Sequence, residues 1–145
     1  MHAAGDATAT ALANLEAGLE AYISPSGDQR PGETAKVLLA AQIAGADPTA
    51  FGGHDLESEL RAMLVTDPGP DLGRFASGSV ADQAYAILAL ARTSGGVPVA
   101  AVDWLVAAAC PSGEFSWDGT CPSGPGMEDS DTTALAVQAL MAAGE

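Results

Sequence analysis

Apolar residues recur along this chain with the three-to-four-residue spacing of helices, and no stretch shows the β-branched alternation of a strand. Alanine and leucine, both strong helix formers, fill the apolar segments. The pattern predicts helices over about 7–22, 33–44, 55–65, 80–93, 99–109 and 131–143. Between them lie runs rich in glycine, proline, serine and aspartate, such as 24-SPSGDQRPG-32, 67-DPGPDLG-73 and 111-PSGEFSWDGTCPSGPG-126.

Three of these helices share one pattern. The segments 33-ETAKVLLAAQIAG-45, 82-DQAYAILALARTSG-95 and 132-TTALAVQALMAAG-144 align on Ala35, Ala84 and Ala134, at steps of 49 and 50 residues (84 − 35 and 134 − 84). A fixed period of this length signals stacked helical units. The three copies are apolar nearly all round, as a helix enclosed on every side would be. The other three have polar faces, carrying Glu16 and Glu20 in the first and Glu57, Glu59 and Arg61 in the next. The expectation is a single all-α domain over residues 1–145, made of three antiparallel helix pairs with outer helices backing inner ones.

Each copy opens on polar or acidic residues. Ser79 and Asp82 form an S-x-x-D arrangement akin to a capping box, Glu33 stands at the start of the second helix, and Ser130 or Asp131 offers an N-cap to the last. Negative charge there also complements the helix dipole. An acid at every inner-helix start is what a structural repeat predicts.

Composition narrows the function. The net charge is −14, Lys36 is the sole lysine, and the arginines are Arg30, Arg61, Arg74 and Arg92. Phosphate backbones and anionic lipid are repelled by such a surface, so nucleic acid is not an expected partner. The longest apolar stretch, 97-VPVAAVDWLVAAAC-110, contains Asp103 and is too short to span a bilayer. Cys110 and Cys121 flank a turn-rich loop, and a disulfide between them is expected to contribute about 2–3 kcal/mol. The alternative is two unrelated thiols kept reduced in a cytosol.

With these residues in view, the chain resembles the α/α-toroid repeat of the prenyltransferase and squalene-cyclase superfamily, shared by transcobalamin-like proteins. The resemblance rests on 113-GEFSWDG-119 and 130-SDTTALAVQAL-140, with a weaker echo in 73-GRF-75, while 51-FGG-53 lies out of place. It implies a partial toroid: closed members use about five to seven helix pairs, and three are legible here. It also implies a fragment of a longer protein, or an arc completed by a partner, including a homo-oligomer formed through its open edges.

In the cyclases, an aspartate at this helix start protonates an alkene or epoxide. Asp129 and Asp131 match the first two aspartates of Asp-x-Asp-Asp-Thr-Ala, with Asp131 at the donor position. Thr132 replaces the third aspartate, so the match is broken where the acid is activated. A carbocation also needs aromatic faces, and of the seven aromatic residues only Tyr85 begins an inner helix.

The expected function is therefore a non-catalytic ligand-binding or protein-interaction domain of an exported bacterial protein, extracellular or cell-surface, whose signal peptide would lie outside this chain. The alternatives are a piece of a terpene-cyclase-like enzyme with Asp131 as proton donor, and a purely structural repeat that pairs with another chain. Asp129, Asp131, Phe115 and Trp117 are the candidate binding residues, and an unidentified small ligand or protein is the expected partner. Glu128, Asp129 and Asp131, with Asp118, could bind calcium through carboxylates, although the spacing is not that of an EF-hand. No zinc set is expected, because His2 and His54 are far in sequence from both cysteines. His54 reads as a surface residue.

Overall fold

The computed structural model describes residues 3–76, 78–121 and 129–145. Seven helices follow one another: α1 (Ala3–Ala17), α2 (Leu19–Ile23), α3 (Pro31–Ala44), α4 (Leu56–Ala62), α5 (Val80–Leu90), α6 (Val99–Ala107) and α7 (Ser130–Ala143). No strand forms among the described residues, and extended pairing is limited to two isolated bridges, Phe51 with His54 and Leu64 with Phe75. The protein is all-α.

The first expected helix is two. Gly18 separates α1 from α2, and the short second piece turns Leu19 and Ile23 into the core while Glu20 stays in solvent. The expected helix over 80–93 ends at Leu90 and passes into turns.

Helix α5 lies between α3 and α7 and packs along both. Its Ala84, Ala86, Ile87, Ala89 and Leu90 are wholly buried. Alanine suits this position: it favours the helix, and its single methyl lets neighbouring helices approach closely. The approach is tightest between the first turns of α3 and α5. A Cβ on Gly32 would collide with the carboxylate of Asp82.

The rest of the core comes from elements around the central three. Leu19 and Ile23 of α2, Leu56 and Leu60 of α4, Leu105 of α6, and the loop residues Phe51, Phe75 and Phe115 are all buried. Helix α4 packs on α3, and α6 packs on both α5 and α7.

Helix starts show three solutions to one problem, the orphan N–H groups of the first turn. Helix α5 has the full capping box between Ser79 and Asp82. Helix α7 begins one residue earlier than expected, so Ser130 is already helical and Asp129 is the cap. The Oδ1 of Asp129 accepts from the Thr132 N–H at 2.9 Å and Oδ2 from the Thr132 hydroxyl at 2.7 Å. Helix α3 uses proline at its first position, which has no N–H to satisfy, and Glu33 does not cap it. Glu33, Asp82 and Asp131 do place one acid in the first turn of each.

Two turns preceding core helices share a local geometry. Gly73 and Gly113 both adopt left-handed φ values, 88° and 92°, and each is followed two residues later by a buried phenylalanine. The Phe75 N–H donates to Oε1 of Gln83 at 2.9 Å, and the Phe115 N–H donates to the Thr133 hydroxyl at 2.9 Å. Gln83 and Thr133 are 50 residues apart, at matched positions of their helices. Gln83 also donates from Nε2 to the carbonyls of Gly73 and Ala101, both at 2.9 Å, tying the turn and α6 to α5.

Cys110 and Cys121 form the expected disulfide, with Cα atoms 5.5 Å apart. It closes the loop that carries Phe115 and Trp117.

Replacing Gln83 by leucine leaves the buried Phe75 N–H without its partner and removes a hydrogen bond from each of the Gly73 and Ala101 carbonyls. Urea unfolding is expected to show a loss of about 2–4 kcal/mol, whereas Gln138→Leu on the exposed face of α7 changes stability little.

Candidate functional site

The acids of the last helix and the exposed indole of Trp117 meet in an open groove. It spans the N-terminal halves of α5 and α7, has a volume of about 470 Å³, and is lined by Tyr85, Trp117, Asp129, Asp131, Leu135 and Gln138 among others. Local forces set each of these. The Val80 N–H at the start of α5 donates to the Trp117 carbonyl at 2.9 Å, which anchors the loop against the helix. Two residues earlier, Thr133 of α7 holds Phe115 from the other side. The loop is therefore pinned to both helices, and Trp117 projects with 63% of its surface exposed.

Tyr85 enters the groove from the first half of α5. The Lys36 ammonium of α3 sits 5.1 Å from the centre of its ring. Lys36 itself does not line the groove.

The two aspartates have different roles. Asp129 caps α7, and its carboxyl is held below the usual carboxylate range, first by the Thr132 N–H and then by the Thr132 hydroxyl. It is an anion at neutral pH. Asp131 lies two residues on, exposed in the first helical turn and on the groove wall. Both carboxylates give the groove negative charge.

Of the residues singled out in the sequence, Trp117, Asp129 and Asp131 share this groove, and Phe115 does not. Phe115 is 4% exposed and belongs to the core. Asp118 points elsewhere: its carboxylate accepts from the Thr120 hydroxyl at 2.7 Å, the Thr120 N–H at 2.9 Å and the Ser116 hydroxyl at 3.2 Å. These bonds, led by the Thr120 hydroxyl, hold its carboxyl low. Glu128 and His2 lie outside the described residues. Among the described residues no group of three or more His, Cys, Asp or Glu side chains is placed to hold a metal ion. Both cysteines are committed to the disulfide.

His54 corrects the expectation of a plain surface residue. Its ring is largely covered, with Nδ1 at 3.0 Å from Glu59 and Nε2 at 3.3 Å from Glu20, so it ties α2 to α4. Sequence spacing shows Asp55 next to it; the partners that matter are 5 residues on and 34 residues back. Gln83, Lys36 and Tyr85 were likewise not singled out as a set. Tyr85 had one signal, an aromatic residue in an otherwise aliphatic inner helix. Gln83 had another, an amide in an enclosed segment.

No family model, curated protein or solved structure matches the chain.

The cap on α7 gives a pH prediction. Because the Asp129 carboxyl titrates lower in the folded protein than in the unfolded chain, its contribution is present above the unfolded value and is lost as pH falls through the folded one. Asp129→Ala is expected to lower the melting temperature at neutral pH. The gap to the unaltered protein should narrow in acid, as followed by circular dichroism from pH 7 downward.

Proposed function

We propose that this chain is a non-catalytic binding domain, built from α-helical hairpin repeats as a partial α/α toroid, whose groove between α5 and α7 takes a small organic cation. The observation that carries the binding reading is the exposed Trp117 indole beside the Asp129 and Asp131 carboxylates in one concavity. Aromatic faces and carboxylates are the two partners an alkylammonium group prefers. The net charge of −14 adds a long-range attraction for such ligands.

The repeat reading is supported by the matched turns: Gln83 and Thr133 hold the backbones of Phe75 and Phe115 in the same way, one period apart. Export to an oxidising compartment is supported by the Cys110–Cys121 disulfide. No helix among the described residues is long and apolar enough to cross a membrane.

The runner-up is a cyclase-like acid at Asp131, favoured by its place on the groove wall near Tyr85. Two features weigh against it. Asp131 is exposed, and protonating an alkene calls for a protonated carboxyl in a site that excludes water. Tyr85 and Trp117 are the two aromatic residues that line its groove, short of a cage, while Phe75 and Phe115 are spent in the core and Trp104 stands under the Arg74 guanidinium, 5.4 Å away.

Titration with choline, followed by Trp117 fluorescence in a Trp104→Phe background, is the direct test. A saturable change is expected with choline and not with its uncharged tert-butyl analogue. Measured by calorimetry, which needs no tryptophan signal, Trp117→Ala should abolish choline binding and Asp131→Asn should weaken it about fivefold. No response to choline or other alkylammonium ions would overturn the cation-binding reading. Cyclised product from a squalene-like polyene, lost on Asp131→Asn, would establish the enzyme instead.

A further inference from the structure

The groove between α5 and α7 has two unlike ends. Along α7 its wall includes Asp131, Ala134, Leu135 and Gln138, whose three- and four-residue steps put them in line on one helix face. Across from them stand Ala81 and Tyr85 of α5, one turn apart. Both charged residues of the lining, Asp129 and Asp131, are at the start of α7. The Trp117 loop belongs to the same end, because it bonds to Thr133 through Phe115 and to the first residue of α5 through the Trp117 carbonyl.

Beyond that end the lining carries no charge. Tyr85 and Leu135 are partly buried against the core, and Ala134 is exposed between Asp131 and Gln138. The strip closes on an amide: Gln138 folds back along α7, its Nε2 donating to the Ala134 carbonyl at 3.2 Å. From Asp131 to Gln138 is seven residues (138 − 131), roughly 10 Å of helix. The Lys36 ammonium over the Tyr85 ring adds to the polarity, since it repels a second cation from the middle of the groove toward the aspartates.

We infer that the ligand of this groove is a linear alkylammonium amphiphile. Its cationic head lies at Trp117 and the two aspartates, and an unbranched hydrocarbon tail of about six to eight carbons runs past Tyr85, Ala134 and Leu135 toward Gln138. The assignment rests on the cation-binding reading of the groove and supplies the rest of the molecule. A phosphate joined to the head would face the carboxylates that attract the ammonium, so the source is a free amphiphile and not a phospholipid headgroup. In an open groove a methylene is covered on one side, and each should strengthen binding about twofold, less than full burial gives.

Calorimetry with tetramethylammonium and with butyl-, hexyl-, octyl- and decyltrimethylammonium, each kept below micelle formation, tests it. Kd should fall about twofold per methylene as far as hexyl or octyl and then level off, because further carbons pass Gln138 into water. The ratio of hexyl to tetramethylammonium affinity isolates the tail from the head. Leu135→Ala should lower that ratio at least about threefold. Ala134→Gln, at an exposed position that leaves the core alone, should lower it likewise. Asp131→Asn should weaken every member by a similar factor and leave the ratio unchanged. Hexylphosphocholine should bind more weakly than hexyltrimethylammonium. Four results overturn the inference while the cation reading stands: equal affinity at every chain length, affinity that climbs without levelling, a ratio indifferent to both variants, or hexylphosphocholine bound as tightly. If no member of the series binds, the inference and the cation reading fall together.

Discussion

The enclosure of α5 is the constraint from which most of this structure follows. A helix wrapped on nearly all sides can carry few polar groups, and each of them must find a partner inside the protein. Gln83 is the residue that meets this demand. Its amide accepts from the Phe75 backbone and donates to two carbonyls, one in the preceding turn and one in α6. One buried side chain thereby fixes the turn before α5, the depth to which Phe75 enters the core and the position of the helix behind it. Alanine at the contacting positions lets α3 and α7 close in on either side.

The groove at the start of α7 depends on the same architecture. The loop from Cys110 to Cys121 is closed by a disulfide, tied to α5 through Val80 and tied to α7 through Thr133. With its ends held and its phenylalanine buried, the loop presents Trp117 outward at a fixed place. Asp129 is beside it because a cap must sit just outside the helix it serves. A residue required for folding and a residue free for recognition therefore line one wall. The charge of the groove is a by-product of helix capping that a cation-binding site can use.

Basic residues are few, and most are engaged within the protein. Arg61 spans from α4 to the turn before α6, bonding Glu57, Thr93 and the Gly96 carbonyl at 2.9 Å each. Arg74 holds the Gly78 carbonyl and Asp71 while stacking near Trp104. Arg30 pairs with Glu33, and Lys36 covers Tyr85. The remaining negative charge faces outward, where it attracts cations and repels other anions.

The sequence by itself determined the helical class, the approximate helix positions, the shared pattern of α3, α5 and α7 and the capping box of α5, and left open whether the two cysteines pair. These are local or periodic properties, written in residues a few positions apart or repeated at a constant step. Only the tertiary structure decided that Asp129 caps α7, since a shift of one residue in a helix boundary changes which side chain meets the orphan N–H groups. It also decided that Phe115 is core while Trp117 is exposed, two residues apart in the same loop, because Thr133 and Val80 grip the backbone on opposite sides. His54 found its carboxylates on α2 and α4, and Gln83 found its carbonyls before α5 and on α6. Such partners lie at sequence distances that no spacing rule specifies, and packing alone brings them together.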